Sequence, residues 1–123
     1  PIFHGLGNFV TVTRALSVEG NASAARKAWA ERRKVLFGFE PDPDSPTYPF
    51  HPESRNALIA VVDVTNAGIV RAGFVPCCID KTGTPHPAAA TDCGRAVADY
   101  LADITRRAGL ATRFSTDDDG LVW

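Results

Sequence analysis

The sequence contains no methionine, and none of its apolar runs approaches the ~20 residues that a helix needs to cross a bilayer. We therefore expect no membrane span in this chain. It also begins without the charged and then apolar segments of a signal peptide. Because an initiator methionine is missing, the natural N-terminus can lie further upstream.

An excess of either charge is missing as well. The 13 Lys and Arg residues are balanced by 14 Asp and Glu residues, which leaves a formal net charge of -1. Binding to nucleic acid or to an acidic membrane usually depends on a positive excess, so neither is expected as a partner. The 123 residues, of which 45% are hydrophobic, fit one domain or domain fragment spanning 1–123.

Cysteine is too scarce for a disulfide framework, since an odd count of three leaves at least one thiol free. The neighbouring Cys77 and Cys78 can form a vicinal disulfide or, as the simpler interpretation, be two small apolar residues that end a strand. Cys93 lies near the start of a predicted helix, where an exposed thiol would be activated. No histidine stands at a motif spacing from Cys93, so we do not expect it to be a nucleophile.

Metal-binding spacings such as HxH, HExxH and CxxC are absent. The three histidines are scattered along the chain at His4, His51 and His86. No metal or other cofactor is therefore predicted in this chain. The consecutive Asp117, Asp118 and Asp119 do not alternate as calcium ligands do, so they predict a solvated hairpin turn.

Two β-branched, apolar segments, 55–64 and 69–76, flank the short connection 65–68 and predict an antiparallel hairpin. Because nearly every residue at the centre of the first segment is apolar, we expect both of its faces to be covered. Helical patterns cover 22–37 and 92–108. The sequence therefore predicts an α+β fold made of antiparallel hairpins and two helices.

The first predicted helix carries an apolar stripe with a charged residue inside it. Asn21 is the expected N-cap and Gly38 the expected C-terminal stop. The stripe consists of Ala25, Ala28, Trp29, Val35 and Leu36. Arg32 lies within it, and a partly buried guanidinium needs a counter-charge. Arg32 is thus expected either to pair with an internal acidic residue or to bind a phosphate or carboxylate substrate.

Five prolines fall within the sixteen residues 39–54, which predicts a long and stiff loop that we call the strap. A structureless loop of this length in a compact domain is usually functional. His51 lies in the strap beside Phe50 and Pro52. It is therefore the histidine with the best case for a functional role.

An N-terminal proline can act as a catalytic base, as in tautomerases, because a secondary amine in an apolar pocket can shuttle protons near neutral pH. That fold requires a long opening strand, whereas Gly5 and Gly7 interrupt the first segment of this chain. A tautomerase that depends on Pro1 is a remote alternative. It predicts that Pro1→Ala abolishes keto–enol turnover.

The first ten residues, PIFHGLGNFV, resemble the PIFYSLGNFVF segment of the CapA-like capsule and poly-γ-glutamate biosynthesis proteins. Those proteins belong to the calcineurin-like metallophosphoesterase superfamily. The resemblance continues through the segments 36–43, 48–52, 74–76, 83–85 and 100–105. It covers most of this chain but only the C-terminal third of a typical member.

This resemblance implies the C-terminal part of an αββα metallophosphoesterase sandwich. The metal-ligand motifs of the family, including a His-rich GHHPH segment, precede the part that Pro1 matches, so an intact parent would bind its divalent metals outside this chain. By resemblance, the turn at Gly7 and Asn8 neighbours the active centre. The strap that contains His51 is a candidate for one side of the substrate cleft. His4 stands where the family usually has tyrosine, so no ligand role is assigned to it.

The resemblance further implies a parent that hydrolyses or transfers a phosphate or related ester with two metals. This chain alone is expected to be inactive and to complete the sheet and part of the cleft. Its expected partners are the missing N-terminal part of the same protein or an oligomer partner, and an anionic small-molecule or polymer substrate. Family members are often membrane-anchored or extracytoplasmic.

Catalytic residues are not identified in this chain. The candidate substrate-binding residues are Gly7, Asn8, Arg32 and His51. The alternative to the CapA-like assignment is a free-standing, non-catalytic binding or interaction domain.

Overall fold

The computed structural model describes residues 23–123. These residues form two compact units. The helical unit contains 23–55 and Ile79–Thr84, and the sheet unit contains Asn56–Cys78 and Pro85–Trp123. The described chain is a small α+β structure with a three-stranded antiparallel sheet and two helices. The predicted class is therefore confirmed at this coarse level.

The sheet is built around the predicted hairpin. Strands β1 (Asn56–Thr65) and β2 (Gly68–Ile79) pair antiparallel through a two-residue connection, and β3 (Pro85–Pro87) lies on the other side of β2. The register shifts once, between Asp63 and Val64. The Thr65 hydroxyl accepts a hydrogen bond from the Ala67 N–H at 3.2 Å and so closes the turn.

The prediction that both faces of β1 are covered is wrong. No residue of β1 is buried, and Val64 is 65% exposed. Within the described residues, α2 (Asp92–Arg107) is the helix that packs against β1. A single helix covers at most one face of a strand, so a strand that is apolar on both faces remains open on part of its surface.

Helix α2 follows the sequence prediction closely. The Thr91 hydroxyl caps it by accepting the Gly94 N–H at 3.0 Å. Val97 on its apolar stripe is 1% exposed, and Gly109 has the left-handed φ of 72° that ends such helices. Asp103 and Arg107, four residues apart, form an ion pair on this helix.

The predicted C-terminal hairpin is confirmed as a short pair of segments beside β2. Ser115 and Trp123 exchange two backbone hydrogen bonds of 2.8 Å. Val122 and Phe74 of β2 exchange two more, of 3.0 and 2.8 Å, on the side of β2 away from β1. Val122 is 1% exposed, so the C-terminal segment contributes to the core of the sheet unit.

In the helical unit, α1 (Ala24–Phe37) begins two residues later than predicted. The N-cap is Ser23, whose hydroxyl accepts the Arg26 N–H at 3.3 Å. Gly38 ends the helix as predicted, with a φ of 71° and its N–H donated to the Lys34 carbonyl at 2.8 Å. No helix among the described residues is long and apolar enough to cross a membrane.

The predicted buried stripe of α1 is wrong. Ala30, which lies outside that stripe, is the buried residue of the helix. Val35 is 85% exposed and Leu36 is 75% exposed. Arg32 at the centre of the stripe is exposed as well. The amphipathic pattern therefore identified a real apolar face, but that face points to solvent.

The cysteine interpretation needs two corrections. Cys78 and Cys93 form a disulfide with a Cα–Cα distance of 6.5 Å, which excludes the vicinal bond and leaves Cys93 without a thiol. Cys77 is the free, buried cysteine, and burial raises the pKa of its thiol. Neighbouring side chains of a strand point to opposite faces, so Cys78 faces α2 while Cys77 does not.

Candidate functional site

The strap is held in shape by a polar cluster around Arg55. Its guanidinium donates hydrogen bonds to the Asp42 carboxylate at 2.8 Å and to the Ser45 hydroxyl at 2.6 Å. Ser45 is completely buried. The hydrogen bond from Arg55, followed by one from the Asp44 N–H, lowers the pKa of Asp42 below its usual range. Asp42 is therefore an anion that organises the strap at neutral pH.

Aromatic packing adds to this cluster. Tyr48 is 8% exposed, and its hydroxyl donates to the Ser54 carbonyl at 3.0 Å. The Phe50 ring meets the Tyr48 ring edge-on, with 4.8 Å between the centroids. The 3₁₀ helix Pro52–Arg55 ends the segment. The strap is thus a packed loop, as its proline content predicts.

His51 lies at the surface of the strap. Its side chain is 53% exposed, and its Nδ1 accepts the Glu53 N–H at 3.2 Å. The ring also meets Phe39 edge-on at 5.4 Å. Because Nδ1 accepts a hydrogen bond, the neutral ring carries its proton on Nε2 and can donate it to an acceptor. This arrangement permits binding of an anionic group and does not by itself define a catalytic base.

The structure describes two of the four substrate-binding candidates, Arg32 and His51. Arg32 forms no ion pair with another described residue, and no hydrogen bond joins it to His51. Gly7 and Asn8 lie outside the described residues, as do Pro1 and His4. His86 lies in β3 and is exposed. The role of the four substrate-binding candidates stays a prediction.

Sequence reasoning chose the wrong arginine as the packed one. The guanidinium of Arg33 lies over two rings, at 4.8 Å from the centroid of Trp29 and 4.5 Å from that of Phe37. These residues are spaced four apart along α1, which places them on one side of a helix. The sequence contains this spacing, and it predicts a cation–π stack at Arg33 and not at Arg32.

The sheet unit contains a cleft of about 230 Å³. It lies between the end of β2, the first turns of α2 and the turn 117–120. Small residues form most of its surface, and its charged side chains are Arg95, Asp117 and Asp118. Arg95 forms an ion pair with Asp92 within its own helix. The cleft therefore carries little unpaired positive charge with which to bind an anionic substrate.

Asp117 in this cleft has a structural role. Its carboxylate accepts the Leu121 N–H at 2.9 Å, the Asp119 N–H at 3.1 Å and the indole N–H of Trp123 at 2.7 Å. These hydrogen bonds, the one from Trp123 first, lower the pKa of Asp117. Asp118 and Asp119 are exposed, as a solvated turn requires, whereas Asp117 is half-buried and stabilises the turn from inside.

In the part of the chain that the structure describes, no group of three or more His, Cys, Asp or Glu side chains is placed to hold a metal ion. The described residues thus do not fit the two metals that the CapA-like resemblance implies. We assign no chemical step to a metal within 23–123.

No family model, curated protein or solved structure matches this chain. The CapA-like resemblance therefore depends on the sequence motifs alone.

Proposed function

We propose that this chain is a structural, non-catalytic part of a CapA-like protein of the metallophosphoesterase superfamily. In this proposal, another polypeptide segment of the same protein covers the β1–β2 hairpin and supplies the ligands for divalent metals. The chain contributes part of the sheet and one wall of a cleft for an anionic small-molecule or polymer substrate. The parent protein acts in capsule or poly-γ-glutamate synthesis.

The exposed hairpin is the observation that supports this proposal. Six large apolar residues of the two strands are at least 40% exposed: Leu58, Ile59, Val62, Val64, Ile69 and Val70. Leu58 and Ile59 are neighbours in β1 and point to opposite faces, so apolar side chains are exposed on both faces of the hairpin. Leaving such side chains in water costs free energy, which supports a covering segment. The described sheet also leaves one edge of β1 available for pairing with another strand.

The position of the metal ligands is the second argument. The motifs that carry them in the resembled family precede the segment that matches Pro1. The described residues offer no alternative set of ligands. A role in completing the sheet is therefore more consistent with this chain than a role in metal chemistry.

The test compares this chain with a longer protein that includes the coding sequence upstream of Pro1. We expect the longer protein to contain the missing Asp, Asn and His motifs and to hydrolyse p-nitrophenyl phosphate with Mn²⁺, with loss of activity in EDTA. The present chain should be inactive under the same conditions. Hydrogen exchange of the β1 amides should be slower in the longer protein, because the additional segment covers the hairpin.

Mn²⁺-dependent hydrolysis by the 123-residue chain alone would contradict the proposal. Equal exchange rates of β1 in both proteins would contradict the covering of the hairpin. A monodisperse, well-folded chain with no catalytic motifs upstream would favour the alternative, a free-standing binding domain whose hairpin contacts a different protein.

A further inference from the structure

The disulfide of the sheet unit joins an exposed cysteine to a half-buried one. Cys93 is exposed in the first turn of α2, whereas Cys78 is half-buried near the end of β2. In thiol–disulfide exchange a thiolate attacks one of the two sulfurs, and accessibility helps to decide which sulfur is attacked. An external thiol therefore reaches the sulfur of Cys93 more easily than that of Cys78.

The position of Cys93 also favours its thiolate once the bond is open. Cys93 is the second residue of α2 and follows the Thr91 cap by two residues. The partial positive charge of a helix N-terminus stabilises a thiolate. The charge of the neighbouring Asp92 opposes this effect, but Asp92 forms an ion pair with Arg95. Because a thiolate is itself the nucleophile, exchange at Cys93 does not require a partner histidine.

The third cysteine takes no part in this chemistry while the chain is folded. Cys77 is 2% exposed, and its thiol donates a hydrogen bond to the Val75 carbonyl at 3.6 Å. Burial raises the pKa of the Cys77 thiol, which disfavours the reactive thiolate. Cys77 and Cys78 are neighbours in β2, so their side chains point to opposite faces of the sheet. The folded chain thus carries one accessible disulfide and one inert thiol.

Contacts other than the disulfide hold α2 beside the sheet. The Thr91 hydroxyl donates to the Ala88 carbonyl at 2.7 Å, and the Ala88 N–H donates to the Pro76 carbonyl of β2 at 2.8 Å. Gly94 packs so closely on this segment that a Cβ there would lie 1.9 Å from the Ala88 oxygen. Val97 is 1% exposed. None of these contacts involves a sulfur, so we expect the fold to survive reduction, as a reversible exchange requires.

We propose that Cys78 and Cys93 are a redox pair that exchanges with a dithiol, in which Cys93 forms the mixed disulfide and Cys78 is the resolving cysteine. One thiolate of the dithiol attacks the Cys93 sulfur, the bond between the two cysteines breaks, and Cys78 leaves as a thiolate that takes up a proton. The second thiolate of the dithiol then attacks the reductant's own sulfur in the mixed disulfide and releases Cys93.

This step balances without a metal or another cofactor. Two electrons pass from the dithiol to the chain, the dithiol becomes a cyclic disulfide, and its two protons pass to the cysteine thiols or to solvent. In the reverse direction, the Cys93 thiolate attacks an external disulfide and Cys78 resolves the product. The proposal is independent of the proposed function, since it requires neither a catalytic parent nor a cover for the hairpin.

Titration of the oxidised chain with dithiothreitol tests the proposal. Maleimide labelling and mass spectrometry identify the cysteines that react at each concentration. Cys78 and Cys93 should become reactive together in one two-electron transition, while Cys77 should stay unlabelled until denaturant is added. Circular dichroism of the reduced chain should keep the helical signal of the oxidised chain. This measurement needs no substitution, so it tests the proposal even if a variant fails to fold.

Single substitutions separate the roles of the two cysteines. In the Cys78→Ser variant, Cys93 should form a mixed disulfide with oxidised glutathione about threefold faster, or more, than Cys78 does in the Cys93→Ser variant. A thiol pKa lower by about one unit raises the thiolate fraction about tenfold and lowers its nucleophilicity about threefold, and the greater exposure of Cys93 adds to the difference. Cys77→Ser is the matched control and should titrate with dithiothreitol like the wild type.

Three results would overturn the proposal. Loss of the helical signal on reduction would show that the bond only holds the fold together. A folded chain in which excess dithiothreitol opens no disulfide would show that the bond is inert. Mixed-disulfide formation at Cys78 as fast as at Cys93, or faster, would contradict the assignment of Cys93 as the exchanging cysteine.

Discussion

At the scale of the residue, Asp117 shows how one carboxylate shapes the end of the chain. It accepts two backbone N–H groups of its own turn and the indole N–H of Trp123. The ring of Trp123 in turn receives the guanidinium of Arg71 at 3.6 Å from its centroid. Arg71 also forms an ion pair with Asp63. Asp117 thus links the C-terminal turn to the hairpin.

The lowered pKa of Asp117 predicts how stability depends on pH. A carboxyl whose pKa is lower in the folded state stabilises that state above its unfolded pKa of about 3.9, and the contribution is lost as pH falls through the folded pKa. Asp117→Asn should therefore lower the melting temperature at pH 7, and the difference from wild type should shrink below about pH 4. Asp118→Asn, at an exposed position, should leave the melting temperature unchanged both at pH 7 and below pH 4. If the melting temperature of Asp117→Asn stays below that of wild type by the same amount from pH 7 to low pH, the Asp117 carboxylate does not stabilise the fold through its charge.

Some of these residue-level features follow from the sequence and others do not. The turn at 117–119 was predicted, because three consecutive aspartates suit a solvated turn. The hydrogen bond from Trp123 was not, since it depends on where the C-terminal segment returns beside β2. Arg32 illustrates the same limit: the periodicity of α1 identifies an apolar face, but the placement of the rest of the unit decides whether that face is inside.

At the scale of the element, local signals were the reliable ones. The end of α1 at Gly38 and the hairpin connection are each determined by a few neighbouring residues, and the structure confirms both predictions. The Thr91 cap of α2 is a local feature of the same kind. The pairing of Cys78 with Cys93 brings the end of β2 to the first turn of α2. Three cysteines allow three pairings, and only the tertiary arrangement of strand and helix selects this one.

The disulfide gives a prediction about the stability of this strand and helix pair. It closes a loop over a sequence separation of 15 residues. A loop of about 15 residues corresponds to about 3 kcal/mol of stabilisation in the chain-entropy account. The oxidised chain, denatured without reductant, should show one reactive thiol. Its free energy of unfolding should fall by about 3 kcal/mol on reduction.

A double Cys78→Ala and Cys93→Ala variant serves as the control for this measurement. It should be as unstable as the reduced wild type and should not respond to reductant. Three reactive thiols in the oxidised chain, or identical denaturation curves with and without reductant in the wild type, would show that the bond does not form. The comparison requires protein folded under oxidising conditions, where such bonds persist.

At the scale of the whole molecule, each unit exposes an apolar surface among the residues that the structure describes. The hairpin of the sheet unit exposes β-branched residues on both strands, and α1 of the helical unit exposes Trp29, Val35 and Leu36. Composition and periodicity predicted both segments as apolar but placed both in the core. A 45% hydrophobic content is ordinary, so nothing in the bulk numbers indicates that these surfaces stay uncovered within the described chain.

The exposed hairpin predicts that the chain alone binds a hydrophobic dye such as ANS and associates reversibly with increasing concentration. Val64 and Val70 are each 65% exposed, so Val64→Thr with Val70→Thr should lower dye fluorescence and association without changing strand propensity. The free energy of unfolding should stay within about 0.5 kcal/mol of wild type, as for most surface substitutions.

Val97→Thr is the control, because it makes the same chemical change at a position that is 1% exposed. It should lower the free energy of unfolding by about 1–3 kcal/mol, because it buries a hydroxyl. If the hairpin variant associates and binds dye as strongly as wild type, the hairpin is not the surface that requires a cover, and the structural role proposed for this chain loses its main support.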